Sequence, residues 1–162
     1  MKYPKIYSIN WNSWLLSFNT GQTCVTGYKR PMKLDFSSLK KAAKSLGRAI
    51  ARTQKAPSDE ELRDAVIQRF EYTYELACKM MKRQIEQESP NPAEIDRLSF
   101  KDLLRTAAEK GIIADVEAWL VYRDQRNITS HTYDEDEAKS VYETALKFHK
   151  DAEDLLSKLE KR

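Results

Sequence analysis

Side chains that could bind phosphate and move protons occur together in one segment, residues 122–133. This segment holds one of the chain's two histidines and two of its arginines, together with amide and phenol groups. The candidate site residues in it are Arg123, Arg126, Asn127, His131 and Tyr133. An apolar-periodic stretch precedes the segment and the acidic run Asp134–Glu137 follows it, which predicts a site at the junction of two helices.

The arginine and the histidine of this segment are suited to phosphodiester chemistry. A histidine can take a proton from one hydroxyl near neutral pH and return it to a leaving oxygen. A guanidinium can hold a phosphate by two hydrogen bonds and stabilise the charge that grows on it. Arg126 and His131 would therefore suffice as catalytic residues for metal-independent RNA cleavage, with the ribose 2′-hydroxyl as nucleophile. Asn127 could orient the phosphate or the imidazole, and Tyr133 could hydrogen-bond to either.

The same residues also have a purely structural interpretation. An arginine near the C-terminus of a helix and a histidine just after it are electrostatically favourable there without any catalysis. The spacing of Arg126 and His131 alone leaves both interpretations open. Because the other histidine, His149, lies far downstream and no glycine-rich phosphate loop is present, we expect no metal site, no cofactor and no autonomous nucleotide-using enzyme.

The charge of the chain is unevenly distributed. Residues 1–31 contain four basic residues and no acid, so the remaining residues carry 28 − 4 = 24 bases against 25 acids. The body, at −1, is therefore not a globally basic nucleic-acid binder. Cys24 and Cys78 lie in unlike contexts that indicate neither a disulfide framework nor a metal pair. No apolar run approaches the roughly 20 residues of a membrane span, and we expect a cytoplasmic protein that does not contact a membrane.

Residues 1–31 differ from the rest of the chain and are predicted to be an irregular N-terminal extension. They contain two of the three tryptophans and two of the four glycines, with no sustained period. They could form a small β-like arm that binds a partner. Alternatively, they have little ordered structure and reflect a start codon assigned too far upstream.

Residues 32–162 are predicted to form the helical domain. Ser37 or Ser38 is expected to cap a first helix that ends near Gln54, with a basic stripe of Lys41, Lys44, Arg48 and Arg52 on its outer side. That stripe could meet RNA phosphates or an acidic partner, or could simply be solvated. Ser58 or Asp59 is expected to cap a second helix that ends near Glu88, and the segment from Ser89 to Pro92 is expected to be a loop.

Three further helices complete the prediction. Ser99 and Asp102 have capping-box spacing at the start of the third helix, and Gly111 is expected to end it. The fourth helix starts near Asp115, and its predicted inward face comprises Val116, Trp119, Leu120, Arg123, Arg126 and Asn127. Asp134 should cap the last helix, whose heptad seam comprises Ala138, Val141, Ala145, Phe148, Ala152, Leu155 and Leu159. The predicted fold is all-α, an antiparallel up-and-down bundle of four to five helices.

The segment Arg126–Tyr133 resembles the RNxxxHxY signature of the HEPN superfamily of small helical-bundle proteins. The stretch 69–77 resembles the second-helix pattern of that superfamily. The stretches 100–111 and 119–123 are similar to its subgroup of nucleotidyltransferase substrate-binding proteins. The resemblance covers about residues 34–160 and does not include the N-terminal extension.

The resemblance implies a bundle that is usually dimeric and that pairs with a separate minimal nucleotidyltransferase encoded nearby. In related toxin–antitoxin modules the HEPN member is an RNA-cleaving toxin, and the motif residues matching Arg126 and His131 form a composite site at the dimer interface. There the residue matching Tyr133 receives adenylate from the partner enzyme. In the substrate-binding subgroup the same bundle is a non-catalytic subunit that helps to bind substrate.

Three functional hypotheses follow. The first is a substrate-binding or regulatory partner of a minimal nucleotidyltransferase that holds phosphate through Arg123, Arg126, Asn127 and His131. The second is a ribonuclease toxin with His131 as acid–base and Arg126 as electrostatic stabiliser. The full motif does not separate it from the first hypothesis, and the acids beside the motif disfavour it, because a nuclease usually presents positive potential to its scissile phosphate. The third is a non-catalytic interaction bundle.

Overall fold

The computed structural model describes residues 34–128 and 134–162. The regular structure in these ranges is helical, as predicted. The helices are α1 (Ser37–Thr53), α2 (Glu60–Glu88), α3 (Pro92–Ile95), α4 (Phe100–Glu109), α5 (Val116–Ile128) and α6 (Glu135–Glu160). The predicted N-terminal extension lies outside the described residues. Within the described ranges, no helix is long and apolar enough to cross a membrane.

Contacts near helix ends define the directions of α1, α2 and α6. The Thr53 hydroxyl at the end of α1 donates to the carbonyl of Leu62 near the start of α2, at 3.2 Å. The Lys40 ammonium at the start of α1 lies 2.8 Å from the Glu160 carboxylate at the end of α6. Helix α1 is therefore antiparallel to both α2 and α6, as expected for an up-and-down bundle.

Side-chain caps begin three helices where the sequence predicts them. The side chain of Asp59 accepts from the Leu62 backbone N–H, and Ser99 accepts from that of Asp102. Asp134 caps α6 and accepts from two backbone N–H groups of its first turn. These bonds satisfy donors that a helix start otherwise leaves unpaired. Gly111 follows α4 with φ 68°, the left-handed conformation expected of a residue that ends a helix.

One prediction about local structure is wrong, and one needs a change at its boundary. Neither Ser37 nor Ser38 caps α1, because Ser37 is already helical and the Asp35 carboxylate accepts from its backbone N–H at 2.8 Å. A carboxylate placed before the first turn is also favoured by the helix dipole. The predicted loop from Ser89 is confirmed to Asn91, but Pro92 begins the one-turn helix α3, since its fixed φ suits a first helical position.

The core is centred on Phe148 of α6. Its ring contacts four other aromatic rings, with centroid distances of 5.2 Å to Phe70, 5.3 Å to Tyr122, and 5.8 Å to both Tyr74 and Trp119. These rings come from α2 and α5, so one side chain joins three helices. The predicted α6 seam, from Ala138 to Leu159, is buried at every position.

The inward face of α5 is only partly as predicted. Its buried residues are Trp119, Tyr122 and Arg126, whereas Asn127 is exposed. The hydroxyl of Tyr122 donates to the Asp151 carboxylate of α6 at 2.5 Å, so its ring can be buried while its polar end is paired. This orientation of α5 places Arg126 against α2.

Replacing Phe148 by alanine should reduce the free energy of unfolding by about 3–5 kcal/mol, because it removes the ring that all four neighbours contact. Urea denaturation followed by circular dichroism measures this change. The control is Val121→Ala on the exposed side of α5, which should change stability by less than about 0.5 kcal/mol. Equal effects of the two substitutions would contradict the placement of the core.

Candidate functional site

Arg126 lies in the last turn of α5 and is bound by carboxylates from α2. It is 9% exposed, and its Nη2 donates to the Glu75 carboxylate. The Glu71 carboxylate lies 3.5 Å from the same nitrogen. Glu71 and Glu75 are one turn apart, so they form one acidic edge of α2. A guanidinium this buried requires such partners, because an unpaired buried charge is costly.

The two carboxylates are not equivalent. Glu75 is the more buried, with a side chain 23% exposed, whereas that of Glu71 is 40% exposed. Burial raises the pKa of Glu71; Arg126 opposes this shift and the negative charge of Glu75 adds to it. Of the pair, Glu75 makes the direct hydrogen bond to Arg126, and Glu71 is a second carboxylate in a position that disfavours its ionised form.

The end of α5 is close to the start of α6. The Ser140 hydroxyl of α6 donates to the Gln125 amide oxygen at 3.3 Å. In the first turn of α6, Glu135 lies 3.0 Å from the Lys139 ammonium and 3.9 Å from Arg63 of α2. Acidic side chains at this helix start are favoured by its dipole. The region around the end of α5 is therefore rich in paired charges.

The other described candidate residues occupy different environments. The guanidinium of Arg123 lies over the ring of Phe100, 4.6 Å from its centroid, in a cation–π contact between α5 and α4. Asn127 is exposed. Arg123 and Asn127 are one turn apart on α5, whereas Arg126 forms ion pairs with two carboxylates of α2.

His131 and Tyr133 lie outside the described residues. The expected convergence of Arg126 and His131 on one groove therefore stays a prediction, as does the continuation of the helix to Ser130. Tyr133 likewise remains only a candidate for modification.

The buried groups Cys78 and Tyr122 do not add a nucleophile or base to this region. Burial raises the pKa of the Cys78 thiol to about 12, so the thiol stays protonated and unreactive near neutral pH. Burial, together with the hydrogen bond to Asp151, also raises the pKa of Tyr122. In residues 34–128 and 134–162, no three His, Cys, Asp or Glu side chains come close enough together to hold a metal ion.

The carboxylates that bind Arg126 are not among the site residues predicted from the sequence. Glu71 and Glu75 lie in the stretch 69–77 that resembles the superfamily's second helix, and their spacing of four residues puts them on one side of that helix. Two acids on one side of a helix otherwise rich in apolar residues could have suggested a buried cation as their partner. Arg63, which contacts the first turn of α6, was also missed.

This arrangement defines what the site can do chemically. A phosphate that binds Nη2 of Arg126 has to compete with Glu75 and approach Glu71, and both carboxylates repel it. The described candidate residues are Arg126, whose charge is largely neutralised by its partners, Arg123, which stacks on an aromatic ring, and the exposed amide of Asn127. These side chains can hold and position a phosphate group. Their affinity for phosphate depends on whether Glu71 and Glu75 remain paired with Arg126.

Comparison with protein families gives a match over residues 34–161 to the family described as nucleotidyltransferase substrate binding protein like. A relative described as a probable ribonuclease HepT, from Haemophilus influenzae, is 48% identical over 96 residues. The aligned part covers 59% of this chain and 66% of the relative, which is just under two thirds of that protein's length.

Two solved structures have a similar fold. One, from Haemophilus influenzae, is reported to reveal the fold of a substrate binding domain of a nucleotidyltransferase, and it shares 37% sequence identity with a TM-score of 0.74. It matches 78% of this chain and 99% of its own. A crystal structure from Thermus thermophilus shares 28% identity with a TM-score of 0.51, over 70% of this chain and 98% of its own.

Replacing Glu75 by glutamine should reduce the free energy of unfolding by about 2 kcal/mol, because the buried guanidinium of Arg126 then loses its closest negative partner. Glu71→Gln is the matched control, since it removes the more exposed carboxylate of the same pair. Urea denaturation at neutral pH should show a loss for Glu75→Gln and none for Glu71→Gln. A larger loss for Glu71→Gln would contradict the assigned roles.

The pH dependence of the free energy of unfolding of the control variant, Glu71→Gln, gives a second test. The pKa of Glu71 is raised above its ordinary value of 4.5, so ionising this group costs folding free energy. The cost is absent below pH 4.5 and grows as the pH rises through the raised pKa. Glu71→Gln should therefore gain stability relative to the wild type as the pH rises from 4.5 to above the raised pKa of Glu71. A relative loss over this range would show that Glu71 is stabilised as an anion.

Proposed function

The chain belongs to the family of nucleotidyltransferase substrate-binding proteins, and from this premise we propose that it is the substrate-binding and regulatory partner of a separate minimal nucleotidyltransferase. The family match and the similar fold of a nucleotidyltransferase substrate-binding domain support this proposal. In this role the bundle holds a phosphate-bearing substrate or presents one of its own side chains to the partner's active site. The nucleotide-transfer chemistry belongs to the partner.

The observation that carries the proposal is the pairing of Arg126 with Glu75 and Glu71. Catalysis of phosphodiester cleavage by the isolated chain needs a cation that is free to stabilise growing negative charge. In this chain two carboxylates from α2 already compensate the guanidinium. That environment suits a site whose phosphate affinity is low until a partner or a ligand changes the ion pairing, and it favours a regulated binding subunit over a constitutive nuclease.

The proposal gives each candidate residue a distinct role. Arg123 and Asn127 hold phosphate at the end of α5, and Arg126 does so when its carboxylate partners are displaced. His131 hydrogen-bonds to the bound phosphate. Tyr133 is the acceptor for adenylate: its hydroxyl oxygen bonds to the α-phosphorus of ATP, the bond to pyrophosphate breaks, and the hydroxyl proton is lost.

A second function, ribonuclease activity, is favoured by one specific observation, the 48% identity to a probable ribonuclease HepT. In that case Arg126 stabilises the charge on the scissile phosphate, and His131 acts as acid and base toward the ribose hydroxyl and the leaving oxygen. The composite site then requires two copies of the chain, since the family motif is expected to act at a dimer interface. A third possibility, a non-catalytic interaction bundle, assigns only a stabilising role to these residues.

Co-expression with the minimal nucleotidyltransferase encoded nearby tests the first function. The two proteins should elute as one complex on size-exclusion chromatography, and light scattering should give a homodimer for the chain alone. Intact-mass analysis after incubation with ATP should show one or more added adenylates. Tyr133→Phe should abolish the addition, and the control Tyr142→Phe, at a half-buried position of α6, should not. Independent elution of the two proteins, whatever the mass, would refute the partnership.

The ribonuclease alternative predicts RNA cleavage by the purified chain in the presence of a metal chelator. His131→Ala should reduce the cleavage rate by at least about 100-fold, because it removes the general acid–base group. His149→Ala is the matched control, since it removes the only other histidine and should leave the rate unchanged. If growth arrest and RNA cleavage are both absent for the wild type, the alternative is excluded. If only stability changes in Arg126→Ala and His131→Ala, the chain is an interaction bundle.

A further inference from the structure

A cavity of about 260 Å³ between α1 and α2 is lined by three arginines. Arg48 and Arg52 come from α1, Arg69 comes from α2, and Ser45 adds a hydroxyl group. The three other lining residues are apolar, and no carboxylate of the described chain is among them. We call this space the arginine cavity. It shares no lining residue with the ion-paired region around Arg126.

Local contacts hold the arginine from α2 in place. Nη1 of Arg69 donates to the carbonyl of Ala65 at 2.8 Å, and its Nε donates to the Ser45 hydroxyl at 3.3 Å. The second contact crosses from α2 to α1 and fixes the guanidinium at the cavity wall. Arg48 and Arg52 are one helical turn apart and exposed, so they lie on the same side of α1.

The charges of these arginines have no partner in the described part of the chain. Within residues 34–128 and 134–162, no carboxylate lies within 4.0 Å of Arg48, Arg52 or Arg69. Four other arginines in the same ranges do have such a carboxylate, namely Arg63, Arg105, Arg126 and Arg162. Three like charges around one small cavity repel each other, and a bound anion removes that repulsion.

We propose that the arginine cavity binds a phosphate of a single-stranded nucleic acid, at a site separate from the Arg126 motif. The planar fork of a guanidinium matches two phosphate oxygens, and such charge-assisted bonds are among the strongest hydrogen bonds. The Ser45 hydroxyl is one further group of the right chemistry. The inference stands whether or not Arg126 and His131 also contact nucleic acid.

Two neighbouring features indicate a strand and not a small anion. Lys41 and Lys44 continue the exposed basic stripe of α1 beyond Arg48, over about 16 Å from residue 41 to residue 52 at 1.5 Å per residue. A stripe of this length can contact several successive phosphates. Tyr72 is 36% exposed and follows Arg69 by three residues, so it lies on the same side of α2, where an aromatic ring can stack on a base.

The volume of the cavity agrees with this assignment. A pocket for a whole drug-sized ligand usually has about 300–1,000 Å³, and this one is smaller. It can take a phosphate group while the rest of the ligand lies across the surface. The ligand therefore extends along the α1–α2 face and is not enclosed.

The test is fluorescence anisotropy of the full chain with a labelled single-stranded RNA of mixed sequence, at several salt concentrations. Arg48→Gln/Arg52→Gln should weaken binding about tenfold or more and reduce the slope of log affinity against log salt by about 1.4, or 0.7 for each lost phosphate contact. Tyr72→Ala should weaken binding about fivefold or more. Both changes are at exposed positions, and circular dichroism verifies that the variants are folded.

The matched control is Arg83→Gln/Arg97→Gln, which makes the same change in net charge at exposed positions that do not line the cavity. This variant should bind the RNA within about twofold of the wild type. An equal loss of affinity in both double variants would overturn the proposal, because net charge alone would then explain binding. Absence of RNA binding by the wild type would also overturn it.

Competition experiments identify the source of the phosphate. Single-stranded DNA of the same sequence should displace the RNA, because the contacts are to backbone phosphates and bases. If ATP displaces the RNA as well as an equal concentration of DNA strand does, the cavity takes a free nucleotide and the assignment to a strand fails. If polyglutamate displaces it equally well, an acidic protein segment is the better ligand and the assignment to phosphate fails.

Discussion

A guanidinium that is nine-tenths buried has to be neutralised, and this requirement connects the motif to the centre of the bundle. Arg126 projects from the last turn of α5 toward α2, where Glu75 and Glu71 bind it. The position of that acidic edge is determined by the packing of Phe70 and Tyr74, on other sides of α2, against Phe148. The geometry of the candidate site is therefore a consequence of the aromatic core, and a change in the core alters the charge balance around Arg126.

The bundle contains two contrasting environments for arginine. At the end of α5, carboxylates pair with a buried guanidinium, and these ion pairs offset the free energy of desolvating its charge. Between α1 and α2, three guanidinium groups surround a cavity and are compensated by no described carboxylate. The first environment stabilises the folded chain and has to be rearranged before it binds an anion. The second environment destabilises the folded chain slightly, and a bound anion offsets this destabilisation without any rearrangement of ion pairs.

Much of the fold could be predicted because its signals are local. The caps at Asp59, Ser99 and Asp134 and the seam of α6 depend on residues within a few positions of each other, and the structure confirms them. The buried face of helix α5 was harder to predict, because two sets of its residues both recur every three to four positions. Aromatic rings bury a large apolar area, so burial of the Tyr122 ring favours the face that contains Arg126. Asn127 is then exposed.

The partners of the site could not be predicted in this way. The hydrogen bond between Arg126 and Glu75 joins residues 51 positions apart, and no local period indicates which acid meets which base. The basic stripe of α1 was visible in the sequence, but its relation to Arg69 depends on how α1 and α2 pack. A charge pattern on one helix predicts a basic face. Which residues of a second helix complete a binding site on that face depends on how the two helices pack.

The surroundings of Arg126 bear on the proposed role of a partner protein. Glu71, Glu75 and the acidic first turn of α6 all lie in the region where a phosphate would approach, and each adds repulsion. The raised pKa of Glu71 shows that the negative charge there is already disfavoured. A second protein that brings one cationic side chain to Glu71 or Glu75 removes part of this repulsion and releases a donor of Arg126 at the same time. Under the proposed function, phosphate affinity at this end of the bundle is then set by the assembly, as the role of a regulatory subunit requires.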